Sequence, residues 1–198
     1  ARPANRGHQR RFLLAVQATY AFQRARDRAA YRLASPFGRG FNYRSLLHEL
    51  KACSPERLIV FHHYDSQGAL PRSWRDCLLE MRRAGWAVVV STSGLAAPII
   101  QELEEAGVLL AHRRNIGLCL GAYKDLSLLL ASDSALLRGL KSLVLCNDSN
   151  LPLQSPAALL SQLEAWVAAN EAAAEPVLAG LTDSAQRACY HLQSFLLY

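Results

Sequence analysis

The apolar run Val144, Leu145, Cys146 stops abruptly at Asn147, Asp148, Ser149 and Asn150. A buried strand ending this way delivers Asp148 to the carboxyl edge of a sheet, where open α/β folds bind their ligands. A carboxylate there can hold a divalent cation or accept a hydrogen bond from a sugar hydroxyl, with the amide of Asn147 and the hydroxyl of Ser149 beside it.

A second polar stretch precedes it, from Arg113 and Arg114 through Asn115, Gly117, Gly121, Tyr123 and Lys124 to Asp125. A glycine-punctuated turn leading into a helix lets backbone approach a ligand closely, while Arg114 and Lys124 can offset phosphate charge. The stretch therefore suits a diphosphate, although it lacks the three-glycine dinucleotide fingerprint. Gly117 and Gly121 equally suit turn geometry and helix packing alone. Asp65, after an apolar run that closes with His62 and His63, can bond a nucleotide base or ribose, or simply cap the turn Asp65–Gly68. His62 and His63 alternate across a strand, so one of them faces inward. Asn115 can orient a ligand or lock its own turn, and Tyr123 can stack on a ring or pack against the helix.

The elements needed to position these groups are readable from residue 57 onward. Leu58–His63, Trp86–Ser91, Val108–His112 and Leu143–Cys146 are short apolar runs of strand length. Pro71–Ala84 carries helical spacing through Trp74, Leu78 and Met81, Leu95–Ala106 is a second helix closed by Gly107, and a third runs to about Ser132. Alternating strands and helices predict a mostly parallel sheet covered by helices.

The first 50 residues differ in kind. They hold ten arginines against Asp27 and Glu49, +8 within a net charge of +6, so the remainder carries −2. A helix is expected from about Gln9 to Leu33, a break at Ser35–Gly40, and a second helix over Tyr43–Ala52. This predicts two parts: a basic helical appendage at residues 1–52 and an α/β body at 53–198. Arginines interleaved with Phe12, Tyr20 and Phe22 fit a solvated helical face or an interfacial helix on an anionic membrane; no nucleic-acid motif accompanies them. No apolar run approaches the roughly 18 residues that span a bilayer, and the N-terminus lacks a secretory signal pattern. The chain begins at Ala1 rather than Met, as a trimmed chain would. Five scattered cysteines without a CxxC pair favour a reducing cytoplasm over a disulfide or zinc framework, and Cys146 reads as a small core residue.

Taken in order, His62-His63-Tyr64-Asp65, the Arg114-Asn115-x-Gly117 turn with Gly121 to Asp125, Cys146 to Ser149, Gly180 to Ser184 and His191 to Phe195 resemble the rhamnan synthesis protein F family. The resemblance spans residues 57–198, about seven tenths of the chain. It implies a GT-A-like (Rossmann-like) glycosyltransferase of cell-surface polysaccharide synthesis, using a nucleoside-diphosphate sugar such as activated rhamnose. The acceptor would be a growing polysaccharide or lipid-linked glycan at the cytoplasmic face of the membrane.

On that resemblance Asp65, Arg114, Asn115, Gly117, Gly121, Lys124, Asn147, Asp148 and Ser149 would bind the donor. Asp148 would be the metal ligand if Mg or Mn assists, in the place where such enzymes often carry Asp-x-Asp. Here only one acid stands, and hard cations prefer several oxygens. Inverting transfer needs a group to take the acceptor hydroxyl proton; Asp183 and His191 are the candidates, with a helix cap and a buried core histidine as their structural alternatives. The family's sequence normally continues past Phe195–Tyr198, so a C-terminally incomplete domain or a shortened relative is expected. The rival class is a non-catalytic nucleotide- or carbohydrate-binding module with a degenerate GT-A site; a lipid- or assembly-binding protein driven by the basic N-terminal helix is a third.

Overall fold

The computed structural model describes residues 42–149, 155–180 and 196–198, with the backbone of 183–184 and 191–192. The helix expected over residues 9–33 lies outside the described residues. A five-stranded sheet organises the body, in the order β3-β2-β1-β4-β7, where β1 is Arg57–His63, β2 Ala87–Thr92, β3 Leu109–His112, β4 Ser142–Asn147 and β7 Leu196–Leu197. β1 to β4 run parallel and β7 runs antiparallel to β4. A two-stranded ribbon, β5 (Asp183–Ser184) with β6 (His191–Leu192), stands apart from it.

Among the described residues six helices flank the sheet: α1 Tyr43–Cys53, α2 Arg72–Arg83, α3 Ala97–Glu105, α4 Leu118–Ala131, α5 Ser134–Gly139 and α6 Pro156–Ala172. Residue parity along the strands sorts them into two layers. Ile59, Phe61, Val88, Val90, Val144 and Cys146 face α2, α3 and α6, where they meet Trp74, Leu78, Leu103 and Leu163. Leu58, Val60, Val89 and Ala111 face α1, α4 and α5, against Leu46, Leu50, Leu126 and Leu129. Both faces being covered explains why the strands read as continuous apolar runs rather than alternating ones.

Local sequence sets the helix limits. α2 follows Pro71, buries Trp74, Cys77, Leu78 and Met81 at helical spacing, and stops at Ala84 and Gly85. Asp133 caps α5 by accepting from the N–H groups of Ala135 and Leu136, and Ser155 caps α6 ahead of Pro156. The last ten or so residues of the segment assigned to the basic appendage pack as part of the body. Leu46 and Leu50 of α1 are fully buried, and Asn42 closes the β3 edge, its side chain bonding Leu110 O and His112 N at 2.8 Å each. The apolar run at the chain's end is β7, and the hydroxyl of Tyr198 meets that of Ser142 at 2.9 Å. Among the described residues no helix is long and apolar enough to cross a membrane.

The order of the strands fixes where a ligand can enter. From β1 the chain moves outward through β2 to β3, then returns through α4 and α5 to lay β4 on the other side of β1. The carboxyl ends of β1 and β4 lie side by side where the strand order reverses, the place where open α/β sheets bind their ligands.

Candidate functional site

His62 and His63 end β1 on opposite faces, and both are buried. On the α2 side, His63 Nε2 lies 2.8 Å from the carbonyl of Ala69, which can only accept, so Nε2 carries the hydrogen. Nδ1 is 3.1 Å from the Thr92 hydroxyl, which also accepts from Gly94 N–H. His63 thus fastens the loop after β1 to the end of β2 and has no ring nitrogen left for chemistry. Asp65 begins that loop. Its Oδ1 accepts from the N–H groups of Ala69 and Gln67, which hold the carboxyl below its ordinary range, so the turn-capping role is in place.

At the end of β4 the polar residues divide their work. Asn147 is buried; its Nδ2 donates to the Tyr123 hydroxyl of α4 at 3.2 Å and its Oδ1 accepts from Ser149 N–H at 2.9 Å. Burial raises the Tyr123 phenol above its ordinary range. Asp148 comes next, half-buried, and its Oδ2 accepts from Tyr64 N–H at 2.8 Å, tying the ends of β4 and β1 together. Its other oxygen carries no bond among the described residues.

The turn from β3 into α4 is built on a buried ion pair. Arg113 donates through Nε (3.1 Å) and Nη2 (2.9 Å) to Asp125 Oδ2, and Nη2 also donates to Ile116 O at 2.8 Å. The two side chains are only 3% and 7% exposed. Gly117 takes a positive φ of 76° where α4 begins, which favours glycine. Gly121 is required by a close approach: a Cβ there would lie 2.2 Å from the Ile116 carbonyl oxygen. Gly121→Ala is therefore expected to destabilise the fold by about 1–3 kcal/mol, as overpacking does, read as a lower urea midpoint; an unchanged midpoint would contradict the close contact.

These three segments enclose a cavity of about 580 Å³ between the β1 and β4 ends, within the range of small-molecule sites. Asp65, Asn115, Asn147, Asp148 and Ser149 all line it, joined by His62. Arg114 and Lys124 are exposed and stand outside the wall, as do Gly117 and Gly121. Among the described residues the wall holds two carboxylates and no lysine or arginine, so its chemistry is rich in acceptors. The first turn of α4 reaches it through Leu118 and Cys119. The side chains of Asp183 and His191 lie outside the described residues; their backbones belong to the β5–β6 ribbon.

Residues that the sequence did not single out for a ligand complete the site. His62 is 3% exposed, and burial, reinforced by the charge of Arg113, lowers its pKa to about 4. Its Nδ1 is buried without a hydrogen-bond partner among the described residues, as are Ser91 Oγ, Arg113 Nη1 and Asn115 Oδ1. His62 lies in register with Ser91 on one side and Asn147 on the other. Together they form a polar row under α4 where the apolar strands end.

The lowered pKa has a measurable sign. An unfolded histidine titrates near 6.5, so between pH 6.5 and about 4 the unfolded chain binds a proton that the fold refuses. Stability from this group is complete above pH 6.5 and is lost on the way down to pH 4, on the order of 3 kcal/mol in all. Unfolding free energies in urea from pH 7.5 to 5 are expected to fall in the wild type and to fall less steeply in His62→Asn. Parallel slopes would reject the assignment.

Comparisons with protein-family models, with curated proteins and with solved structures find no match for this chain.

Proposed function

We propose that the chain is a GT-A-like glycosyltransferase that binds a nucleoside-diphosphate sugar in the β1–β4 crevice and passes the sugar, rhamnose on the family resemblance, to a polysaccharide or lipid-linked glycan. The observation that carries this is the cavity itself: about 580 Å³ at the point where strand order reverses, lined by Asp65, Asp148, Asn115 and Asn147. Carboxylates and amides converging there accept hydrogen bonds from ribose and sugar hydroxyls, while an acidic wall disfavours a bare diphosphate. The diphosphate is better served at the cavity edge, where the N-terminal turn of α4 contributes backbone N–H groups and the positive end of a 14-residue helix. Arg114 and Lys124 then act from outside as a screening charge. As the anomeric carbon gains positive character, Asp148 stands at the donor end, and Asp183 or His191 takes the acceptor proton.

The donor set does not make a cation site by itself. Among the described residues no three His, Cys, Asp or Glu side chains converge, and Asp148 has one oxygen committed to Tyr64 N–H. A hard cation takes six or more oxygens, so Mg or Mn would be held mainly by the phosphates of the donor.

Nucleoside diphosphate release from a panel of nucleotide sugars with acceptor glycan tests the proposal: stimulated release is expected, and none with any donor would refute transfer. The buried, hydrogen-bonded Asn147 in place of a second acid supports one rival, a binding module with a degenerate site. That rival predicts nucleotide-sugar binding without release. At the cell level we place the protein in the cytoplasm, peripheral at the inner membrane face, with the arginines of residues 1–50 on anionic lipid.

A further inference from the structure

The two layers of helices differ in the surface they turn outward. Of the six large apolar side chains exposed among the described residues, Leu118 (65%), Leu120 (64%), Leu128 (39%) and Leu137 (47%) belong to α4 or α5. The others are Tyr64 and Leu178, and none lies on α2, α3 or α6. Charge divides the same way. Helices α2, α3 and α6 carry four arginines against seven acids, −3 together, whereas α1, α4 and α5 carry Arg44, Lys51, Lys124 and Arg138 against Glu49 and Asp125, +2. Those two acids, with Asp133 between α4 and α5, are engaged. Asp125 is buried on Arg113, Glu49 accepts from the Ser45 hydroxyl at 2.7 Å, and Asp133 holds Lys51 at 2.8 Å while capping α5.

Helical spacing gathers these groups into rows. From residue 120 onward the exposed positions of α4 are 120, 124, 127, 128 and 131, a single stripe opposite the buried Ala122, Leu126 and Leu129. Leu120, Lys124 and Leu128 therefore stand in one line, and Arg44, His48 and Lys51 do likewise on α1. Leu118 opens α4 at a φ of 54°, a left-handed conformation that leucine rarely takes, and it lines the β1–β4 cavity. Glycine would be cheaper there in backbone strain, and a polar residue in exposure. A leucine kept outward against both preferences points to a partner that covers it.

We propose that the face made by α1, α4 and α5 docks on an anionic bilayer, with Leu120, Leu128 and Leu137 in the interfacial layer and Lys124 and Arg138 on lipid phosphates. Leu118 then brings the lip of the cavity to the membrane surface. The inference deepens the reading of a membrane-borne acceptor and rests on it only for what that lip meets. Charge complementarity selects the occupant. A second copy applied to the same face sets basic groups against basic groups, and a nucleic acid would meet the cations while leaving the leucines in water. An anionic bilayer takes both, because leucines enter the acyl boundary while lysine and arginine lay their stems along it and keep their heads at the phosphates. This surface belongs to the compact unit from Gly40 onward, so it is distinct from the arginine-rich segment before it.

Co-sedimentation of the full chain with phosphatidylcholine vesicles, with and without phosphatidylglycerol, tests the docking. Leu120→Ser with Leu137→Ser removes apolar surface from the face, and Lys124→Gln with Arg138→Gln removes two of its charges. Arg72→Gln with Arg83→Gln removes two charges from the opposite layer, and Arg10→Gln with Arg11→Gln removes two from the N-terminal segment. Wild type is expected to bind the anionic vesicles and to bind the neutral ones about tenfold more weakly or worse. Each face pair should weaken anionic binding by about tenfold or more, while the Arg72–Arg83 pair stays within about threefold of wild type. Should the leucine pair fail to fold, Leu120→Gln alone must weaken binding by about threefold or more. The proposal is overturned if anionic vesicles are not bound, if neutral vesicles bind equally well, or if the Arg72–Arg83 pair weakens binding as much as the face pairs. It is overturned equally if only the Arg10–Arg11 pair matters. Self-association without lipid that the leucine pair abolishes would assign the face to a second copy, and binding of poly-glutamate but not vesicles would assign it to an acidic protein; either result overturns the proposal. Diphosphate release with a soluble acceptor but no vesicle binding would sink the docking and leave the transferase standing. Vesicle binding that follows these variants without any release would do the opposite.

Discussion

Asp125→Ala is expected to destabilise the protein by about 3–5 kcal/mol, the cost of leaving a buried guanidinium without its counter-ion. Arg113 has almost no route to water, with 3% of its side chain exposed, and both of its bonds to Asp125 go to the single oxygen Oδ2. For a chain of this length that loss lowers the melting temperature by roughly 10 °C. The pair as such need not be stabilising, because desolvating two charges offsets most of their attraction. The double replacement Arg113→Met with Asp125→Leu should therefore recover most of the loss, and the cycle should be strongly non-additive. A fully additive cycle would mean the two residues act independently. What the double variant should not recover is ligand binding. Arg113 Nη2 holds the Ile116 carbonyl against Gly121, which sets the path of the turn carrying Asn115 and the start of α4. Thermal unfolding and nucleotide-sugar affinity measured on the same three variants would report the two roles separately.

That ion pair also shows where the sequence is legible and where it is not. Four parallel strands, the helices between them and the polar strand ends at Asp65 and Asp148 follow from apolar runs of strand length, helical spacing and glycine stops. The distribution of roles within the site does not follow from polarity alone. Arg114, with Lys124, attracts a phosphate assignment because it sits in a glycine turn, yet its neighbour Arg113 is the buried one. Period-two parity carries the missing signal: Arg113 continues the face of Ala111, as His62 continues Leu58 and Val60, Ser91 continues Val89, and Asn147 continues Leu143 and Leu145. Each of these strand faces turns polar at its carboxyl end, so a polar layer beneath one helix can be read from the sequence once the strands are aligned. Alignment is the part that needs three dimensions. Nothing local says that β4 lies beside β1, that Asn147 is roofed by Tyr123, or that the final apolar run folds back as β7 antiparallel to β4.

Replacing Asp148 is expected to separate its two jobs. Its Oδ2 accepts from Tyr64 N–H and so joins the β4 and β1 ends, a charged hydrogen bond worth roughly 1.5–3 kcal/mol. Its other oxygen is available to the cavity. In Asp148→Ala both functions go, so the urea midpoint falls and, on the transfer proposed above, donor turnover is expected to drop by roughly 10²–10³, the range for removing one preorganised polar group from a reacting centre. In Asp148→Asn the amide oxygen still accepts from Tyr64 N–H, and stability should stay within about 1 kcal/mol of wild type, since a neutral acceptor retains a hydrogen bond of ordinary strength. Turnover in Asp148→Asn then decides what the carboxylate does. A fall of about 10² with the fold intact would mean that its charge acts on the donor, through a hydroxyl or through a cation that the donor brings. Wild-type turnover would mean that Asp148 is a staple between two strand ends. The electrostatic work would then fall to Asp65, the remaining described carboxylate in the wall, whose Oδ1 is already engaged by its own turn.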